Sequence, residues 1–507
     1  MAKILEQING IVWGIPALSL ILGVGLYLTV RTGFAQFTLF PRAVRQFLRL
    51  FRRKEQSGGA VSPFQALCTA LGATVGTGNL AGVAGAIAIG GPGAIFWMWV
   101  CGWIGMVTKF AEAALAVCYR KKNAAGEYVG GPMYMISQGM PKKWHWLAAV
   151  YSFFGVVAAF GVGNATQINA VIAGVNQVIT AFGGVETTPK NLGMGLLLAV
   201  LLTVLLSGGM KRIGRVAEKI VPFGAAGYLL LGTFVLIVRR EAIPGAFGAI
   251  ISGAFSPRAV TGGVIGSMFA VLRIGVSRGV FTNEAGMGTA SIAHAAAQVE
   301  HPVEQGLMGL LEVFLDTIVI CTMTALVILV SGAQIPYGQD VGVALTVQAF
   351  SRVCGDWAAV FLALALCLFA FATVLGWGLY GARCAQYLFG DHVFKRFVAI
   401  QAVAVVLGAV LQTGTVWTLS EIVNGLMAIP NLIVLAVLSP KLIRLTKSYK
   451  RKTTGFCVVG GTYEDIYQRQ PLRAVSHAEI PPVSGAGKKG RKADISSEYR
   501  SAGPGDA

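Results

Sequence analysis

This chain reads as an all-α polytopic membrane protein, and three observations carry that reading. Of its 507 residues, 55% are apolar and only 12% charged, with a mean hydropathy of +0.67, whereas soluble domains carry roughly one-quarter charged residues. Apolar runs long enough to cross a bilayer recur along the chain, about 20 residues being needed for a hydrocarbon core of roughly 30 Å. Loops rich and poor in Lys and Arg alternate between these runs, as the positive-inside rule requires.

By that ruler the chain holds about eleven spans. The first, residues 12–30, has no convincing small-residue cleavage site after it and stays as a membrane helix rather than a signal peptide. The others fall near 63–90, 93–119, 145–180, 192–207, 213–238, 262–293, 305–331, 357–388, 396–413 and 417–439. The loops after spans one, three, five and nine carry eighteen basic residues, from Arg31 to Arg396. The opposite loops carry six: Lys3, Lys190, Arg239, Arg240, Arg258 and Arg352. With thirteen more basic residues from Lys441 onward, this predicts an external N-terminus, an odd number of spans and a cytoplasmic C-terminus. The same distribution argues against nucleic acid as a partner despite the net charge of +19, because the charge does not line one face of a soluble fold. The bilayer is the partner. Eight single cysteines with no CxxC spacing read as buried thiols.

Between spans one and two, residues 37–54 set Phe40, Val44, Phe47, Leu48 and Phe51 against five arginines, the pattern of an interfacial helix. The organisation that follows is an N-terminal helix with its interfacial segment (1–62), five spans (63–240), five more (241–445), and a tail over 446–507. That tail is rich in Gly, Ser, Pro and charge, and disorder is expected there.

Span two, PFQALCTALGATVGTGNLAGVAGAIAIGG, packs glycines 72, 76, 78, 82 and 85 around Thr74, Thr77 and Asn79. Small-residue packing accounts for the glycines. It does not account for a Gly-Thr-Gly-Asn cluster at mid-membrane, which unwinds only where its backbone lines a cavity or binds something. Span seven repeats the design, with Gly275, Gly279, Gly286 and Gly288 around Phe281, Thr282, Asn283 and Glu284. Each break opens a set of five spans. Five is odd, so the second set enters the membrane inverted, and facing discontinuous helices in inverted repeats are a transporter signature. Two other motifs lack their structural context: Gly76 to Ala81 fits GxGxxA without a preceding strand, and Gly275 to Gly279 fits GxSxG without a nucleophile elbow.

Opposed half-helix ends suit a zwitterion, and unwound carbonyls with the hydroxyls of Thr74 and Thr373 are the hard oxygens that a sodium ion prefers. Phe281, Met287 and Trp377 are candidates for an apolar lid that leaves room for a small side chain. Lys109 and Glu112, three apart on one helix, are expected to neutralise one another. Arg273, Arg278, Glu312, Asp316, Arg383 and Glu421 need partners that the sequence does not name.

The stretches GATVGTGNLAGVAGAIAIGGPGAIFWMW, GGPMYMI, GVGNATQIN and GVFTNEAGMGTASIAHAAA resemble those of the alanine or glycine:cation symporter family, within the amino acid, polyamine and organocation transporter superfamily. The likeness runs from Asn9 to about Leu445. It implies sodium-coupled uptake of small neutral amino acids, alanine or glycine, through the cytoplasmic membrane, on a five-plus-five inverted repeat behind one extra helix. It further implies substrate contacts at Thr74, Gly76, Thr77, Gly78 and Asn79, at Gln167, at Phe281, Thr282, Asn283 and Met287, and at Thr373 and Trp377. A proton-coupled carrier, cycling a proton on an intramembrane acid such as Glu284, is the alternative. No catalytic constellation points to an enzyme.

Overall fold

The computed structural model describes residues 2–52, 61–257, 261, 263, 267–339, 341–410 and 414–453. Among them nine helices are long and apolar enough to cross a membrane, and a bent pair, Pro63–Thr74 with Gly78–Gly90, makes a tenth. The eleventh expected span is also present, but it breaks into Met268–Asn283 and Thr289–His294, each too short to cross alone. The tail from 454 onward and the start of span seven, about 262–266, lie largely outside the described residues, and the last helix continues to Thr453.

Local sequence explains the boundaries. Span two opens on a capping box in which Ser62 Oγ accepts from the Gln65 backbone N–H (3.1 Å) and Gln65 Oε1 accepts from that of Ser62 (3.2 Å), with Pro63 in the first turn. It bends by 51° after Thr74. Val75 turns to an extended conformation, and the chain resumes as a π-helical turn, Gly78–Gly82. Two more π-helical turns interrupt span four (Gly161–Ala165) and span eight (Phe314–Cys321). The expected interfacial helix forms over Phe40–Arg52, with Phe40 against Phe314 and Phe47 against Phe64. A short hairpin, Lys121–Lys122 with Tyr128–Val129, follows span three.

The five-plus-five arrangement is visible in the packing. Spans two, three, seven and eight pack together, as do spans four, five, nine and ten, and four spans of the first set meet their counterparts in the second: two with seven, three with eight, four with nine and five with ten. Span two also lies against spans six and nine. The two breaks therefore meet near the centre of the fold, because the helices that carry them are themselves neighbours.

Candidate functional site

The first break is organised by its own asparagine. Asn79 Oδ1 accepts from the Gly76 N–H at 3.0 Å, holding the turn in place of a helical carbonyl. Gly76 then faces two side chains from the other helix group. A β-carbon added there would stand 2.7 Å from Thr373 Oγ1 and 3.5 Å from Gln167 Oε1. The Thr373 hydroxyl lies 3.0 Å from the carbonyl of Gly72 and 3.1 Å from that of Phe369, and Gln167 Nε2 donates to Thr77 Oγ1 at 3.2 Å. Gly76, Thr77, Gln167 and Thr373, scattered over three spans, thus converge on one buried point. Thr74 differs, since its hydroxyl turns back onto the carbonyls of Leu71 and Ala70 in its own helix.

The second break turns at Glu284, a non-glycine residue at φ 53°, followed by Gly286 at 96° and Gly288 at 79°. Its bare amides are taken by a side chain from span three: Glu112 Oε1 accepts from the Gly286 N–H (2.9 Å), the Gly288 N–H (3.1 Å) and Asn431 Nδ2 (2.8 Å). Glu284 accepts from Trp377 Nε1 at 2.9 Å and from Thr289 Oγ1 at 2.5 Å. Met287 is buried in the same turn.

Two contacts join the breaks. Gly78 lies against span seven, where a β-carbon would stand 3.3 Å from Thr282 Cγ2 and 3.7 Å from Phe281 Cδ1. Asn79 Nδ2 donates to Asp316 Oδ1 (2.7 Å), Thr317 Oγ1 to Asp316 Oδ2 (2.9 Å), and Asn283 Nδ2 to Thr317 Oγ1 (3.1 Å). The asparagines of the two breaks are thereby linked through the π-helical turn of span eight.

The expected Lys109–Glu112 pairing is not what forms. Lys109 Nζ meets Glu312 Oε1 at 3.1 Å, and Glu312 Oε2 meets His294 Nε2 at 2.8 Å. Glu112 is occupied by the backbone of span seven, and span eight delivers a carboxylate to the lysine. Of the other intramembrane charges, Arg278 pairs with Glu421 (3.5 Å) beside a cavity of about 280 Å³, and Arg383 pairs with Glu127 (2.8 Å). Sequence reasoning missed Glu112, Asp316 and Asn431 as organisers of the site. For the two acids the usable signal was the cost of charge at membrane depth, which marks a residue without naming its partner, and the neutral Asn431 carried no such signal.

Set against known proteins, the model of the sodium:alanine symporter family matches residues 1–455. The sodium/alanine symporter AgcS of Methanococcus maripaludis is 42% identical over 453 residues, covering 88% of this chain and 97% of that one. The GlnT protein of Bacillus subtilis, described as a probable sodium/glutamine symporter, is 38% identical over 463 residues, covering 89% and 92%. In fold, the crystal structure of MhsT in complex with L-phenylalanine aligns with a TM-score of 0.51 at 15% identity, covering 76% of this chain and 97% of that one. The chain belongs to the sodium:alanine symporter family. It is a multi-pass membrane transporter of amino acids, not an enzyme.

Proposed function

We propose that this member of the sodium:alanine symporter family carries alanine or glycine into the cell together with sodium, by alternating access, in the cytoplasmic membrane with its N-terminus outside. The observation that carries the proposal is the convergence at Gly76. There an unwound backbone, the Gln167 amide and the Thr373 hydroxyl share one buried point, with Trp377 held by Glu284 at the facing break. Backbone amides and the Gln167 amide suit a carboxylate and an ammonium, and the Thr373 hydroxyl with the carbonyls around it suits sodium. AgcS is described as a sodium/alanine symporter and GlnT as a probable sodium/glutamine symporter, so the choice of cargo rests on this chain's own residues, Trp377 above all.

Counterflow in proteoliposomes with sodium, lithium and proton gradients imposed separately tests the proposal. One charge crossing 100 mV gains about 2.3 kcal/mol, enough for roughly fifty-fold accumulation before the chemical gradient is counted. Uptake driven equally well by a pH gradient without sodium would replace this reading with proton coupling. Thr373→Val keeps the shape and removes the oxygen, so half-saturating sodium should rise by more than half-saturating alanine, about tenfold for one lost ligand. An unchanged sodium dependence takes Thr373 out of the cation site.

Size selection follows from Trp377. Its ring fills the space left by Gly163, where a β-carbon would stand 2.6 Å from Trp377 Cγ, and its N–H is fixed by Glu284. Trp377→Leu should weaken competition by glycine and alanine while valine and leucine compete relatively better, by about 1 to 3 kcal/mol per discriminated methylene. A folded variant with the parent's ranking of competitors would leave Trp377 as packing alone.

A further inference from the structure

The interfacial helix Phe40–Arg52 is divided lengthwise. Phe40, Val44, Phe47 and Phe51 recur at helical spacing on one face, and Arg42, Arg45 and Arg49 share the other. Positive charges three and four apart on a helix repel, so this face is unfavourable to itself unless an anion lies over it. Among the described residues none of the three arginines forms an ion pair with a carboxylate. The end of the last helix adds to the positive field. Lys450 Nζ donates to Thr38 Oγ1 at 3.1 Å, within reach of the Arg42 charge, and the Tyr449 hydroxyl lies within reach of both Arg42 and Arg49. Beside the basic face runs an apolar edge: Leu48 is 46% exposed and Phe51 60%, with Phe37, just before the helix, at 56%.

We propose that this corner binds an anionic phospholipid of the leaflet on its side of the membrane, with the phosphate on Arg42, Arg45 and Arg49 and the acyl chains along Phe37, Leu48 and Phe51. Charge alone would suit any phosphate. The apolar edge selects a lipid, because only an amphiphile offsets both the charge of one face and the exposed carbon of the next. Guanidinium groups suit a phosphate diester, whose oxygens accept paired N–H donors. The same helix touches the transport machinery. Phe40 and Phe314 have ring centroids 4.7 Å apart, and Phe314 opens the π-helical turn of span eight. Phe47 and Phe51 lie 6.0 and 5.9 Å from Phe64, in the first turn of span two. The helix also packs along Pro302–Val313, the first part of span eight. A lipid that holds the helix at headgroup depth therefore steadies the two spans that Asn79 and Asp316 join at their interruptions. Lipid occupancy favours the arrangement in which those contacts are made, and so raises the rate of uptake.

The test uses the purified full-length protein in detergent and in phosphatidylcholine vesicles with or without phosphatidylglycerol. In detergent, phosphatidylglycerol but not phosphatidylcholine should raise the parent's Tm and stay bound in native mass spectrometry. Each basic residue at a membrane surface strengthens association about fivefold, so Arg42→Gln with Arg45→Gln and Arg49→Gln should weaken it by on the order of a hundred-fold. In vesicles, phosphatidylglycerol should speed alanine uptake by the parent, and the triple substitution should lose that gain while keeping the rate seen in phosphatidylcholine. Equal Tm in the two lipids, or an unchanged phosphatidylglycerol response after the triple substitution, overturns the lipid site. Glycerol phosphate acting as well as phosphatidylglycerol makes it a site for soluble anions and overturns it too. Specific binding with uptake indifferent to phosphatidylglycerol overturns the link through Phe40 and Phe314. The uptake arm rests on the cargo proposed above and the binding arm does not, so a parent that carries no alanine in either lipid overturns the cargo and leaves binding to decide the site. If the triple substitution does not fold, Arg45→Gln alone, at an exposed position, should weaken phosphatidylglycerol about fivefold, and no change would sink the proposal.

Discussion

Gly78→Leu is expected to abolish uptake while the protein still inserts in the membrane and elutes as a folded species. Gly78 sits where the two breaks touch, and a β-carbon there already reaches 3.3 Å from Thr282 Cγ2 and 3.5 Å from Thr282 Cα. The remaining leucine carbons extend into Phe281 and Thr282, so spans two and seven must separate at the point where their unwound backbones are proposed to face one substrate. Overpacking of this kind costs typically about 1 to 3 kcal/mol, tolerable for a buried helix bundle. A displacement of about 1 Å of positioned groups can by itself cost on the order of a hundred-fold in turnover. Gly78→Ala, which the contacts nearly accommodate, should retain measurable transport. Wild-type uptake by a well-folded Gly78→Leu protein would show that the close approach at Thr282 is not needed for carriage.

The largest effect on stability is expected at Lys109. Lys109→Met leaves Glu312 buried without its ammonium partner, since His294 bonds the other oxygen. Breaking one half of a buried pair destabilises by about 3 to 5 kcal/mol, whereas replacing both halves with apolar groups of similar volume is often neutral or stabilising. Lys109→Met should therefore lower the Tm in detergent sharply, and Lys109→Met with Glu312→Leu should recover much of the loss. Glu112→Gln, by contrast, removes no partner of Lys109 and should not be rescued by the same change at Glu312. Equal melting of Lys109→Met and the parent would show that the ion pair at 3.1 Å is not carrying the packing of spans three and eight.

Much of this could be read along the chain, and the division has a physical cause. Hydrophobicity and loop charge are one-dimensional quantities, so the all-α membrane class, the sequence of spans and the two glycine-rich breaks were all legible. The local chemistry of the breaks was legible too, because Gly76, Thr77, Gly78 and Asn79 are neighbours in sequence, as are Phe281, Thr282, Asn283 and Glu284. Spacing of three residues on one helix also suggested that Lys109 pairs with Glu112, and there tertiary packing decided otherwise. Span eight brought Glu312 to the lysine, and the unwound amides of Gly286 and Gly288 claimed Glu112. Likewise the hydroxyl of Thr74 was spent on carbonyls of its own helix, while Asp316, 237 residues from Asn79, became the link between the breaks. A buried charge announces its cost in the sequence, since that cost depends on the group alone. Its partner is chosen by which helices pack, and packing is set by the summed fit of many side chains over distances that no local pattern records.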